Sequence, residues 1–135
     1  MHYADRFNLA LQGSKPDIEG TTNSFSEYFI EANPAGVTTG QNDQKFKEAI
    51  PQGYEFYIRI GITAMRITST EITLLDEFHS MVKVSWRSEF LKKDQSSGSI
   101  DFVVIYLLQI LDNTPKIFAY ITGDEQAALK ENGLV

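Results

Sequence analysis

The chain has 135 residues, 42% hydrophobic and 22% charged, which is the size and composition of one globular domain spanning residues 1–135. Its 12 basic and 18 acidic residues give a formal net charge of −6 with no Lys/Arg cluster, so neither nucleic acid nor an anionic membrane surface is expected as a partner. The absence of cysteine excludes disulfides, thiolate metal sites and a Cys nucleophile.

The first segment of the chain predicts a short helix over His2–Gln12. Tyr3, Phe7 and Leu11 recur at helical spacing, and Gly13 ends the pattern. The same segment lacks the apolar core of a signal peptide, and no apolar run in the chain reaches the roughly 18 residues that span a bilayer. We therefore expect a cytoplasmic location and no membrane contact.

Two elements follow. The stretch FSEYFIEANPAGVTTG predicts two short extended pieces around a turn that begins at Asn33, whose amide either caps the turn or bonds a ligand. Asn42–Gly61 then shows one apolar and one polar face at helical spacing, which predicts an amphipathic helix. Pro51 lies inside this helix and lacks an N–H, so a kink or break is expected near Ile50.

The segment from Ile62 to Thr122 predicts four long antiparallel strands. Runs rich in Ile, Val, Thr, Phe and Tyr are separated by the turn signals LDEF, KDQSSGS and DNTP. The tail GDEQAALKENG then predicts a short helix with acidic residues in its first turn. Helices gathered on one face of such a sheet give an α+β fold.

The strand faces indicate where the sheet is covered. Val82, Val84, Trp86 and Phe90 alternate with polar residues, whereas DFVVIYLLQIL is apolar on both faces. Because one small domain has no second cover for that strand, we expect a homodimer joined through the sheet.

The inward aromatic residues leave two interpretations open. A tight turn centred on Gln95–Gly98 would place Phe90 opposite Phe102 and Trp86 opposite Tyr106. These rings then either fill a closed core or line an open pocket.

The order of elements, with MVKVSW on a central strand and YITGDE at the end of the last, resembles the nuclear transport factor 2-like superfamily. That superfamily includes SnoaL-like polyketide cyclases, ketosteroid isomerases, limonene-epoxide hydrolases and scytalone dehydratase. The resemblance covers nearly the whole chain and lies in pattern rather than in a strict motif. It implies a cone-shaped curved antiparallel β-sheet wrapped around N-terminal helices (a cystatin-like roll), a deep apolar pocket and dimers formed through the outer face.

The chain departs from the ketosteroid isomerase pattern at three positions. Asn33 stands where the isomerases carry the Asp general base, and an amide cannot abstract a proton near neutral pH. Phe7 follows Arg6 where the isomerase has its oxyanion Tyr, and the segment Tyr106–Leu108 carries no carboxyl for the second donor. The sequence therefore predicts no ketosteroid isomerase activity.

Other candidate constellations are weak. His79 lies near Asp76 and Glu77 but shares parity with polar strand positions, which favours a surface or interface histidine. No HxH, HxxxH or HExxH spacing occurs, so no metal or other cofactor is expected. A catalytic triad like that of the epoxide hydrolases could be formed only by Arg66 with Asp101 or Asp76.

Two functions from different classes remain open. The first is a small-molecule-binding SnoaL-like domain for an apolar ligand, which the resemblance would extend to a lyase, isomerase or cyclase. The second is a non-catalytic dimeric scaffold or protein-interaction module. For the first, the predicted pocket residues are aromatic with one amide near the mouth: Tyr28, Asn33, Tyr54, Tyr57, Trp86 and Tyr106.

Overall fold

A computed structural model describes residues 18–135; the helix predicted over His2–Gln12 lies outside that range. Within it the chain forms three helices and six strands in the order α1, β1, β2, α2, β3, β4, β5, β6, α3. Their bounds are α1 Ile18–Asn23, β1 Phe25–Asn33, β2 Gly36–Gln41, α2 Gln44–Ile60, β3 Ile62–Leu74, β4 His79–Leu91, β5 Ser97–Leu111, β6 Thr114–Ile121 and α3 Glu125–Glu131. The predicted α+β class is confirmed.

The six strands form one curved sheet in the order β2-β1-β6-β5-β4-β3. All neighbours pair antiparallel except β1 and β6, which run parallel. The sheet is therefore mixed, and the expectation of a wholly antiparallel sheet was wrong at this one pair. Strands β1 and β6 are separated by most of the chain, so no hairpin turn fixes their relative direction.

The hairpin turns set the register of the long strands. Asp112 and Asn113 join β5 to β6 with φ values of 52° and 60°, the left-handed pair that a two-residue turn of type I′ requires. Between β4 and β5 the loop is longer: Lys92 N donates to Ser96 O at 2.8 Å, and Gln95 takes a φ of 71°.

The β4–β5 loop corrects the predicted register. Trp86 pairs with Phe102 rather than Tyr106, and Phe90 pairs with Gly98 rather than Phe102. The reason is that the loop closes at the Leu91–Ser97 pair, earlier than the sequence suggested. Because the displacement is an even number of residues, every side chain stays on its predicted face.

Helix α2 is continuous across Pro51, so the break predicted near Ile50 was wrong. The proline removes one backbone donor, yet the helix keeps a buried face that includes Tyr54. Asp43 caps its first turn by accepting a bond from Phe46 N at 3.0 Å. Gly61 ends it with φ of 101°, a conformation that favours glycine.

Two apolar clusters lie on one face of the sheet, here called the inner face. The larger cluster joins strands β3, β4 and β5 to α3 through Ile62, Met65, Val84, Trp86, Phe90, Ile100, Val104 and Leu129, and the carboxyl end of α2 packs on it. The smaller cluster consists of Phe25, Phe29 and Ile117, and Phe46 at the amino end of α2 packs on it. Tyr106 and Tyr120 contact both clusters and therefore lie between them.

Trp86 tests this arrangement because it is the only tryptophan in the chain and is 2% exposed. We expect its fluorescence emission to be blue-shifted in the native protein. Trp86→Ala should lower the free energy of unfolding by about 3 to 5 kcal/mol, and Trp86→Phe, which keeps a ring, should cost markedly less. Native emission like that of free tryptophan in water would contradict the assigned strand faces.

Candidate functional site

A cavity of about 350 Å³ lies between the two apolar clusters, bounded by the inner face of the sheet, α2 and α3. We call it the inner cavity. Its apolar wall comes from five strands and both helices and consists of Phe25, Tyr57, Ile62, Met65, Trp86, Ile100, Phe102, Val104, Tyr106, Tyr120, Ala128 and Leu129. Aromatic and aliphatic side chains on regular elements are the usual walls of small-molecule pockets.

One part of the wall is a pair of stacked rings. Trp86 and Phe102 are cross-strand partners, and their ring planes lie 8° apart with centroids separated by 6.3 Å. Ser88, on the same strand face as Trp86, is also buried and lines the cavity. This end of the cavity presents flat apolar surface with one hydroxyl beside it.

The other end of the cavity carries three phenols. Tyr106 and Tyr120 are direct partners across the β5–β6 ladder, and Tyr57 reaches the same space from α2. The Tyr57 hydroxyl donates to Oε1 of Glu125 in α3, and Tyr120 is the cross-strand partner of Glu31 in β1. Two tyrosine–glutamate pairs therefore border this end.

Burial sets the protonation of these phenols. It is the largest cause raising the pKa of Tyr57 well above its usual value, followed by the charge of Glu125 and the hydrogen bond to it. Burial likewise raises the pKa of Tyr120, with Glu31 adding to the effect. Tyr106 contributes a smaller electrostatic effect in the same direction to both. Both hydroxyls therefore stay protonated, and that of Tyr57 donates to Glu125.

All charged side chains that line the inner cavity within residues 18–135 are acidic. They are Glu31, Asp124 and Glu125, with no Lys, Arg or His among the lining residues. Asp124 Oδ1 is engaged as the cap of α3, accepting from Ala127 N at 3.0 Å. The three carboxylates give this end of the cavity a negative electrostatic potential.

Three of the six predicted pocket residues line the inner cavity: Tyr57, Trp86 and Tyr106. Tyr54 is buried at 8% exposure but is not among the lining side chains. Tyr28 is placed elsewhere, because the alternation of β1 turns Phe25 and Phe29 inward and leaves Tyr28 65% exposed. It borders a shallow depression with His79 and Phe118 instead, which corrects its assignment to the pocket.

Asn33 is a turn residue and does not line the cavity. Its Oδ1 accepts a bond from Ala35 N at 2.8 Å, which is the turn interpretation of the sequence, and Gly36 follows with φ of 135°. The alternative assignment of Asn33 to ligand binding has no support in this geometry.

Sequence reasoning missed three polar residues of the site: Glu31, Tyr120 and Glu125. Two of them, Glu31 and Tyr120, carried a signal in the sequence. Glu31 shares strand parity with Phe29, so an acidic side chain occupies an inward position. Tyr120 faces inward beside Tyr106 once the β5–β6 turn is placed at Asp112–Asn113.

The other candidate constellations are dispersed. Arg66 pairs with Glu89, Arg87 Nε with Asp101 Oδ1 at 2.7 Å, and His79 Nδ1 with Asp76 Oδ1 at 2.8 Å. None of these residues lines the inner cavity, so the triad considered for Arg66 is not assembled there.

Two further features are absent from residues 18–135. No group of three or more His, Cys, Asp or Glu side chains is placed to hold a metal ion. No helix in that range has the length and apolar character needed to cross a membrane.

Solved structures similar to this chain share its fold at low sequence identity. An NTF2-like protein with a cystatin-like fold from Novosphingobium aromaticivorans has a TM-score of 0.64 at 12% identity, covering 97% of this chain and 82% of that one. A ketosteroid isomerase-like protein from Erwinia carotovora atroseptica has a TM-score of 0.56 at 15% identity, covering 90% and 86%. The association domain of C. elegans CaMKII has a TM-score of 0.61 at 9% identity, covering 87% and 84%.

Sequence comparison gives the family. No protein with a curated description matches the chain. The family profile described as NTF2-like protein (DUF6841) matches residues 1–125, nearly the whole length. This profile agrees with the resemblance found in the order of elements and with the curved sheet around the inner cavity. The chain belongs to this NTF2-like family.

Proposed function

We propose that this protein binds an apolar small molecule in the inner cavity. The observation that carries the proposal is the cavity itself: about 350 Å³ enclosed by aromatic and aliphatic side chains between two packed clusters. Ligand pockets of drug-sized molecules typically begin at about 300 Å³. The volume therefore suits a ligand of two or three fused or linked rings.

The cavity is preformed because its wall is part of the sheet. Trp86 and Val104 belong to the buried cluster and sit on paired strands, so their positions are set by backbone pairing and packing. A pocket fixed in this way loses little conformational entropy when it is filled.

The chemistry of the lining favours binding over acid–base turnover. The phenols of Tyr57 and Tyr120 have raised pKa values, so they are poor acids, and the Tyr57 hydroxyl is already engaged as a hydrogen-bond donor to Glu125. No His, Lys or Cys is among the lining residues that the structure describes. Among the residues that the structure describes, a lyase, isomerase or cyclase activity would have to use the lining carboxylates of Glu31, Asp124 and Glu125 as its bases.

A neutral aromatic probe, biphenylmethanol, tests the proposal. We expect a saturable change in Trp86 emission and a rise in the melting temperature on its addition, because a ligand that binds only the folded protein stabilises it. Ala128→Phe should abolish both effects by filling the cavity that Ala128 lines. Ala127→Phe, on the same helix but outside the lining, is the matched control. Equal binding by both variants, or no saturation with the unaltered protein, would refute binding in this cavity.

Ketosteroid isomerisation is not part of this function. The Asn33 amide is engaged with Ala35 N, and no carboxyl occupies the segment Tyr106–Leu108. We expect no base-catalysed double-bond migration in a steroid enone, measured by the absorbance of the conjugated product. Isomerisation above the buffer rate that is lost in Asn33→Ala would contradict this.

A second candidate function, dimeric association, rests on the opposite face of the sheet, here called the outer face. Cross-strand rows place Ile30, Ala119, Leu107 and Met81 side by side, and Ile121 beside Ile105 in the next row. Ile30 and Ile121 are each 43% exposed. One structural neighbour is itself described as an association domain, which supports the same use of this fold.

We expect the protein to be a homodimer joined through the outer face. Burying four aliphatic side chains of the outer face contributes about 6 to 12 kcal/mol before association costs of similar size. The monomer already covers these side chains in part, which lowers that gain. A single charge introduced into the interface should therefore be enough to prevent dimerisation. Ile105→Asp or Leu107→Asp should give monomer or aggregate by light scattering. Ile58→Asp, on the exposed side of α2, should leave the dimer intact. A monomer for the unaltered protein at micromolar concentration would rule the dimer out.

A further inference from the structure

We infer that the ligand of the inner cavity carries a cationic amine on an apolar aromatic body. This inference rests on the proposed function and names the ligand class for the same cavity. Three features of the phenol-lined end support it: the direction of its hydrogen bonds, the sign of its charges and the attraction of aromatic ring faces for cations.

The hydrogen bonds leave mainly acceptors for a ligand. The Tyr57 proton goes to Glu125 Oε1, and Glu31 is the cross-strand partner of Tyr120. Each phenol oxygen and each carboxylate still has lone pairs that can accept a bond. A ligand group that donates, such as an ammonium, can satisfy these acceptors, whereas a carboxylate or ketone cannot.

The charges select the same kind of group. Glu31, Asp124 and Glu125 line the cavity, and no basic residue does so within residues 18–135. A ligand carboxylate would meet only like charge at this end, whereas an amine gains charge-assisted hydrogen bonds. Glu31 from β1 and Glu125 from α3 both line the cavity, so either carboxylate is available to accept a bond from the ammonium group.

The aromatic wall adds to the selection. Tyr57, Tyr106 and Tyr120 line this end of the cavity, and Tyr106 and Tyr120 are direct partners across the β5–β6 ladder. The faces of such rings attract cations, most strongly where water is excluded. The stacked rings of Trp86 and Phe102 then receive the apolar body of the ligand.

Three probes with one skeleton test the inference: biphenylmethylamine, biphenylmethanol and biphenylcarboxylate. Their affinities for the intact protein are measured by titration calorimetry and by Trp86 emission at low ionic strength. We expect the amine to bind at least about tenfold more tightly than the alcohol, as one charge-assisted hydrogen bond provides. The carboxylate should bind more weakly than the alcohol.

Isosteric variants locate the selectivity. Glu31→Gln and Glu125→Gln should each lower the affinity for the amine about tenfold more than the affinity for the alcohol, because the amine alone loses a charge-assisted bond. Glu131→Gln, an exposed position on the same helix as Glu125, removes an equal charge outside the cavity and should leave the preference intact.

The outcomes separate this inference from the function on which it rests. Equal affinity for amine and alcohol, or tighter binding of the carboxylate, would overturn the amine inference while leaving ligand binding in place. A preference that survives both glutamate variants would overturn the assigned residues. Failure of all three probes to bind would overturn the proposed function and this inference together.

Discussion

Helix α2 crosses the inner face of the sheet while packing firmly at its two ends, and the inner cavity exists because of that constraint. At the amino end the Phe46 ring packs on Phe25 and Phe29, with centroids 5.2 and 5.0 Å away. At the carboxyl end Leu91 N donates to Gly61 O at 2.9 Å, and a Cβ added to Gly61 would meet the Leu91 carbonyl. With both ends fixed, the helix cannot settle into the gap between the clusters, so the space between them stays open.

The class and element order of the fold could be predicted because they depend on local patterns. Alternation identified the inward face of β4, and the helical spacing of apolar residues located the amphipathic helix within Asn42–Gly61. The predictions that were wrong depended on geometry that no local sequence pattern specifies. The β4–β5 register turned on where the loop closed, at Leu91–Ser97, and the parallel β1–β6 pair joins strands that no turn connects.

The candidate site was predicted only in its apolar part. Trp86 and Tyr106 could be assigned to one face by parity alone, and the structure places both in the cavity wall. Its polar part depends on contacts between distant elements: Glu125 reaches Tyr57 from the last helix, and Glu31 meets Tyr120 across the parallel pair. Such pairings require the tertiary arrangement, which neither spacing nor residue type specifies.

The central claim is that a ligand enters between the stacked rings and the phenols, with its charged group at the glutamates. A crystal structure of the protein soaked with bromobiphenylmethylamine tests this most directly, because anomalous scattering locates the bromine without ambiguity. Our account places the bromine beside Trp86 and Phe102, with the amine nitrogen within hydrogen-bond distance of Glu31 or Glu125. A bromine found only in the shallow depression beside Tyr28, or an amine directed away from both glutamates, would contradict this mode of binding.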